Sequence, residues 1–341
     1  MTAPLRLAVA GTGYFSQFHF DAWRRCPEVT IVAVASQDEA AARAAAEPSG
    51  AACFTDAETM IAQVDADLVD IITPPNTHHA LLIACAERGI TSVCQKPFCG
   101  DLATAQRAVQ ALKAANSRCI VHENFRFQPW YAQVHDILAS KKLGTIYQAQ
   151  FRLRPGDGQG PDAYLARQPY FQTMERFLVH ETAVHFIDVF RYLFGPVDHV
   201  WADLRRLNPV IAGEDDGLVV LRHTGGVRTL IDGNRLADHA AENPRRTMGE
   251  LMIDAEHGEL RLDGDAALWI RQRGSARWQR VDYSWNDHGF GGDCVYRFTR
   301  HVVDHLISGA PVMTAAEDYL TNLAVEEAVY ASAADGKART L

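Results

Sequence analysis

The apolar positions in the first third of the chain fall in short, nearly unbroken runs: Leu5 to Ala10, Val29 to Ala35, Ala52 to Phe54, Leu68 to Ile72, Ser92 to Cys94 and Cys119 to His122. Runs of that length without polar alternation read as strands buried on both faces. Between them lie stretches that read as helices. One starts near Tyr14, and others run Asp38 to Glu47, Ala57 to Gln63, Thr77 to Arg88 with Asn76 as cap and Gly89 as stop, and Leu102 to Asn116. Strand and helix alternate about six times, which predicts a parallel sheet clothed by helices, with right-handed crossovers and ligands taken at the carboxyl ends of the strands.

After His122 the pattern changes. Trp130 to Ser140 reads as a helix, Tyr147 to Arg154 as a strand, and Gly156 to Gly160, between Pro155 and Pro161, as a mobile loop. A helix spans Thr182 to Phe194. From Val197 to Val281 strand segments (VWADLRRL, LVVLRH, VRTLID, ELMID, ELRLD, ALWIRQ) are separated by turn residues at Gly225-Gly226, His257-Gly258 and Gly264, so chain neighbours are expected to pair antiparallel. Helices over Val295 to Ile307 and Glu317 to Ala334 close the chain. The reading is an α/β domain over 1–123 followed by an α+β domain over 124–341.

Length and composition agree with two domains, since 341 residues at 48% hydrophobic content can fill two cores. The formal charge of -9, with Arg205-Arg206 and Arg245-Arg246 as isolated pairs, argues against a nucleic-acid partner. There is no run of 18 apolar residues and no basic, apolar leader, so the expectation is a cytoplasmic protein without a membrane partner. Seven cysteines without a C-x-x-C pair suggest reduced thiols, and neither a disulfide framework nor a zinc ribbon.

Candidate chemistry gathers at four places. Gly11-Thr12-Gly13 follows the first strand and precedes a helix whose first N–H groups face the turn, an arrangement that holds a pyrophosphate. Ser16 takes the third place of the G-x-G-x-x-G fingerprint, where small size serves helix packing; the plain alternative is a glycine-lined loop. Gln95-Lys96-Pro97 and Thr73-Pro74-Pro75-Asn76-Thr77-His78-His79 both reach the carboxyl edge of the parallel sheet. A desolvated ammonium at Lys96 can give up a proton or donate to a substrate oxygen, unless it is a surface lysine, and capping alone explains Asn76.

The segment His180-Glu181-Thr182-Ala183-Val184-His185-Phe186-Ile187-Asp188 comes near the zinc helix H-E-x-x-H, but histidines five positions apart are turned about 140° from each other on a regular helix, so no metal is expected. Glu181, His185 and Asp188 share one stripe, where a histidine between carboxylates can take a hydroxyl proton near neutral pH. A structural polar stripe is the alternative. Asn124 and Arg126, where the domains join, can reach a cleft or tie the domains together. Arg152, Arg154, Asp157, Gln159 and Asp162 surround the glycine-rich loop and can meet a polyol or another subunit.

Taken in order, the glycine turn, P-N-x-x-H at 75–79, x-K-P at 95–97, N-x-R-F at 124–127 and E-x-x-x-H-x-x-D at 181–188 resemble the glucose-fructose oxidoreductase, inositol dehydrogenase and MocA family over almost the whole chain. The resemblance implies a Rossmann first domain and an open, mostly antiparallel sheet in the second that joins subunits into a homodimer or homotetramer. It implies hydride transfer between a sugar or polyol carbon and a nicotinamide. Carried over by position, Lys96 and His185 are the catalytic pair, with Glu181 in the place of the family's aspartate. Gly11, Gly13, Asn76, His79 and Gln95 line the cofactor, beside Tyr14, Phe15, Ser36, Asp38, Thr73, Pro74 and Lys96. The substrate set is Lys96, Asn124, Arg126, Arg154, Asp157, His180, Glu181 and His185.

Two departures stand out. Gln95 occupies the place of the family's glutamate, removing a charge that favours protonated Lys96. The second strand ends in Ser36-Gln37-Asp38 with no arginine adjacent, which favours NAD over NADP. The expected reaction removes a hydride from a sugar C–OH, the anomeric carbon of an aldose giving a lactone, with His185 taking the hydroxyl proton, Lys96 holding the oxygen and Glu181 or Asp188 orienting the histidine. The segments 155–164 and 167–170 resemble a type of sugar dehydrogenase acting on the branched pentose apiose. The alternatives are an NADPH-dependent reductase of a keto sugar or dione, and a dinucleotide-binding sensor without catalysis.

Overall fold

The computed structural model describes residues 3–341 and divides into two compact units: residues up to Asn124 together with Cys294–Leu323, and Phe125–Asp293 together with Ala324–Leu341. The first contains six strands, β1 (Leu5–Ala10), β2 (Val29–Ala35), β3 (Ala52–Phe54), β4 (Leu68–Ile71), β5 (Thr91–Gln95) and β6 (Cys119–His122). They form one sheet in the order β3-β2-β1-β4-β5-β6, every pair parallel. That is the doubly wound dinucleotide order, with the reversal of winding between β1 and β4. Helices α1 (Ser16–Arg24), α2 (Glu39–Ala46), α3 (Ala57–Gln63), α4 (Pro75–Glu87) and α5 (Leu102–Ala114) connect the strands. Each of α2, α3 and α5 starts at an aspartate, Asp38, Asp56 or Asp101, whose carboxylate accepts a hydrogen bond from a first-turn amide.

Two details differ from the sequence reading. Pro74, not Asn76, precedes the first residue of α4; Pro75 fills the first helical position, where its missing N–H costs nothing, and Asn76 falls exposed in the first turn. The second domain is not the single run 124–341, because helix α8 (Cys294–Ser308) belongs to the first unit. Its apolar face, Cys294, Val295, Phe298, Val302 and Val303, is buried there, with Phe298 against His122 of β6 at 4.2 Å between ring centroids.

The second unit is built on a nine-stranded sheet: β7 (Ile146–Leu153), β8 (Val197–Arg205), β9 (Asp216–His223), β10 (Arg228–Asn234), β11 (Gly249–Ala255), β12 (Gly258–Leu262), β13 (Leu268–Gln272), β14 (Trp278–Arg280) and β15 (Arg339–Thr340). The order is β14-β13-β12-β11-β7-β10-β9-β8-β15. Chain neighbours pair antiparallel, as their turns predict, except that β7 inserts between β10 and β11 and runs parallel to β10. Burial alternates along these strands. One face packs under α6 (Pro129–Ala139), α7 (Val184–Phe194) and the second half of α9 (Ala316–Asp335), around Trp130, Tyr131, Phe186, Phe190, Val325 and Val329. The other face leaves Tyr147, Trp201 and Leu218 exposed. Six of the seven cysteines are buried and all seven are free thiols. No helix among the described residues is long and apolar enough to cross a membrane.

Candidate active site

In the first unit the expected cofactor residues lie at the carboxyl edge of the parallel sheet, and the two glycines of the first turn have different jobs. Gly11 has φ +111°, and a Cβ there would stand 2.8–2.9 Å from the backbone of Ile72 and Thr73, where the chain leaves β4. Only glycine fits. At Gly13 a Cβ would meet nothing within 4 Å, so this exposed glycine is not required by the protein's own packing. Helix α1 follows with no side-chain cap, which leaves its start open to an anion. A turn crowded by backbone on one side and open on the other, leading to an uncapped helix, fits a dinucleotide pyrophosphate.

The neighbouring loops are tied to this turn. Thr12 Oγ1 donates to Ser36 Oγ at 2.7 Å, and Ser36 Oγ also accepts from Asp38 N–H at 3.3 Å. Asp38 is exposed and uses Oδ1 to cap α2. Thr77 Oγ1 donates to Thr73 at 2.7 Å, and Pro74 is exposed beside it. Tyr14 is exposed, while half-buried Phe15 packs its ring 5.1 Å from Phe18. His79 is half-buried. Its neighbour His78, which the sequence reading passed over, is fully buried with Nε2 on the Thr73 carbonyl at 2.8 Å, and burial lowers its pKa. Gln95 and Lys96 are half-buried at the end of β5, with Gln95 Oε1 accepting the Lys96 backbone N–H at 2.7 Å.

In the second unit the α-helical stripe expected through Glu181, His185 and Asp188 is interrupted. Residues Leu178–Ala183 form a π turn, closed by Val184 N–H on the Val179 carbonyl, and α7 starts only at Val184. Glu214 shapes this turn: its Oε1 accepts from the N–H groups of Phe177 and Val179, both at 3.1 Å, and from Tyr330 Oη at 2.7 Å. Asp188 is chelated by Arg126, with Nε at 2.7 Å on one oxygen and Nη2 at 2.6 Å on the other. This ion pair lies within the second unit. His185, 5% exposed, stacks flat on Phe125 at 3.9 Å between centroids and 3° between planes, which fixes the plane of the imidazole.

His180 meets buried Glu326 through Nδ1 at 2.5 Å. Glu181 accepts from Thr182 Oγ1 at 2.6 Å and lies 3.6 Å from Arg235. The stretch expected as a mobile loop is pinned: Asn208 Nδ2 donates to the carbonyls of Gly158 and Gly160, and Gly158 N–H donates to the Arg235 carbonyl. Asp157 accepts from Arg235, Tyr164 and Arg167, and Arg154 is bound to Asp232 at 2.7 Å. Asn124 is buried at the end of the first unit's N-terminal run. Arg235, Glu214 and Glu326 escaped the sequence reading because their partners are distant in the chain.

A model of the oxidoreductase family with an NAD-binding Rossmann fold matches residues 5–123, and one of the GFO/IDH/MocA C-terminal domain matches residues 131–261. The chain is 33% identical to a D-apiose dehydrogenase of Paraburkholderia graminis, over 97% of its own length and 88% of the relative's. It is 28% identical to a D-apiose dehydrogenase of Rhizobium rhizogenes, over 98% and 96%. The crystal structure of an oxidoreductase from Agrobacterium radiobacter, in complex with NAD+, L-tartaric acid and magnesium, superimposes with a TM-score of 0.89 at 28% identity, covering 99% of this chain and 98% of that one.

Proposed function

The chain belongs to the GFO/IDH/MocA family of oxidoreductases, and from that membership we propose that it is an NAD-dependent sugar dehydrogenase whose substrate is an aldose of the apiose type, oxidised to a lactone. The observation that carries the reading is the likeness to D-apiose dehydrogenases along almost the whole chain, joined to a glycine turn that fits a dinucleotide. NAD, when bound, supplies the nicotinamide carbon that accepts the hydride. The chain's own residues handle the proton and the orientation. Gly11, Gly13 and the open start of α1 hold the pyrophosphate, with Tyr14, Phe15, Thr73, Pro74, Asn76, His79 and Gln95 around the nucleotide. Exposed Asp38, beside Ser36, meets a ribose hydroxyl and opposes a 2′-phosphate.

Lys96 donates to the reacting oxygen, and His185, its plane set by Phe125, takes the hydroxyl proton. Glu181 accepts a sugar hydroxyl, with His180, Asn124, Arg126, Arg154 and Asp157 completing or supporting the substrate side. The exposed aromatic and aliphatic side chains on the second sheet support a homodimer or homotetramer joined through that face, which light scattering tests by mass. A screen of aldoses and polyols with purified protein, following NADH absorbance, tests the activity. Reduction of NAD by a pentose such as apiose supports the reading, and no reduction with any pentose, hexose or polyol overturns it. Fluorescence titration with NAD and NADP tests the cofactor preference: NAD is expected to bind more tightly.

A further inference from the structure

A carboxylate in the middle of a strand buried on both faces needs donors, and Asp70 of β4 is fully buried. Its Oδ2 accepts from Trp23 Nε1–H at 2.6 Å and meets His19 Nδ1 at 2.8 Å, while Oδ1 has no hydrogen-bond partner among the described residues. His19 and Trp23 stand one turn apart on α1, so both face the same point of the sheet. The far nitrogen of the ring, His19 Nε2, lies 3.1 Å from Gln95 Nε2. The other end of that amide, Gln95 Oε1, accepts the Lys96 backbone N–H at 2.7 Å. An unbroken chain of hydrogen bonds thus runs from the centre of the sheet to the backbone of Lys96.

The order of protons along it follows from what each group can do. A backbone N–H only donates, so the Gln95 atom facing it is the carbonyl oxygen, and the atom facing His19 is the amide nitrogen, which also only donates. His19 Nε2 must accept, and the single ring proton sits on Nδ1, aimed at Asp70. A second proton on the ring would set N–H against N–H. The groups facing the imidazole are Asp70 from β4, Gln95 from β5, His122 of β6 stacked at 4.0 Å between centroids, and Phe15 just before α1. Asp70 holds the proton on Nδ1, and the Gln95 amide needs a bare Nε2.

We propose that Asp70, His19 and Gln95 are positioning residues that fix the backbone of Lys96, and that glutamine at position 95 is matched to a neutral His19. The proposal rests on the reading of Lys96 as the group that binds the reacting oxygen. It is tested by nitrogen-15 NMR of histidine-labelled full-length protein, with the His19 signals identified by their loss in His19→Gln. The wild-type ring is expected to carry a single proton, on Nδ1, with Nε2 bare. In Gln95→Glu a carboxylate accepts at both places, and the ring is expected to carry protons on both nitrogens.

A pair of substitutions separates positioning from packing. His19→Gln can place an amide oxygen near the Nε2 position and accept from Gln95, whereas His19→Asn reaches only the Nδ1 position. The asparagine variant is expected to lose about tenfold in kcat at saturating NAD and sugar and the glutamine variant no more than about twofold. A wild-type ring with its proton on Nε2 or with protons on both nitrogens, a Gln95→Glu ring with an unchanged proton count, or equal kcat in the two His19 variants overturns the proposal. The NMR result needs no turnover. An inert protein with the stated tautomer removes the sugar-oxidation reading and leaves the hydrogen-bond chain standing, and an active protein with a proton on His19 Nε2 does the reverse.

Discussion

Arg235 is the cation whose loss the second unit should feel most. It follows β10 with its side chain 1% exposed, and its Nη2 lies 3.0 Å from Asp157. Nη1 donates to Thr182 Oγ1 at 2.6 Å and stands 3.6 Å from Glu181, and Nε donates to Tyr164 Oη at 2.8 Å. The rings of Phe177, Tyr164 and Phe171 surround the guanidinium carbon at 4.5, 5.1 and 5.6 Å. Burial alone pulls the pKa of this group down; the surrounding negative groups, Asp157 foremost, more than offset it and hold the pKa above its ordinary value. Arg235→Met keeps most of the stem's packing and leaves two carboxylates facing an apolar pocket. Breaking a buried pair costs about 3–5 kcal/mol. Asp157 and Glu181 keep 23% and 18% of their side-chain exposure, so water relieves part of that and the lower end applies. The lost ring contacts add about 0.5–1 kcal/mol, for a total of about 3.5. At about 2–4 °C per kcal/mol for a domain of this size, the melting temperature falls by about 7–14 °C. Scanning calorimetry at neutral pH measures it. Adding Asp157→Asn removes one of the two carboxylates, the one still met by Arg167 at 3.3 Å, and should recover about 1 kcal/mol. A fall below about 3 °C, or no recovery in the double variant, refutes the account of Arg235 as the counter-charge of this pocket.

The remaining predictions address the proposed chemistry and the pH response. His185→Ala should lower kcat by about two to four orders of magnitude in the NADH absorbance assay, and unchanged turnover removes the histidine from proton transfer. Gly13→Ala should leave the melting temperature within about 1 °C while weakening NAD at least about tenfold in fluorescence titration, because the added methyl meets ligand and not protein. Gly11→Ala should cost both, since its methyl strikes the backbone at Ile72 and Thr73. His78 and His223 both have pKa values lowered by burial. The unfolded chain therefore binds their protons first as pH falls, so their contribution is complete above the unfolded value of about 6.5 and is lost as pH drops from there through the lowered folded values. Melting temperatures between about pH 8 and pH 5 should decline on the acid side, and His223→Gln should flatten that decline.

The parallel sheet was legible because each of its strands is a local apolar run and each connection a local helix; nothing in that pattern depends on a distant partner. The second sheet was legible strand by strand, but the insertion of β7 between β10 and β11 was not, since it pairs residues about eighty positions apart and leaves the alternation within each strand unchanged. The same distinction governs the site. Gly11, Gly13 and Lys96 stand out from their own neighbours in sequence. The interrupted stripe at Glu181 does not, because the π turn there is imposed by Glu214, 35 and 37 positions from the N–H groups it caps. One signal did lie in plain view: Asp70 is a charge in the middle of LVDII, and a carboxylate in a strand buried on both faces requires donors. Searching the preceding helices for donors spaced one turn apart finds His19 and Trp23 on α1, and with them the support beneath Gln95 and Lys96. A polar residue that breaks an apolar run thus points to a partner elsewhere, and here the partner leads to the end of the strand that carries the lysine.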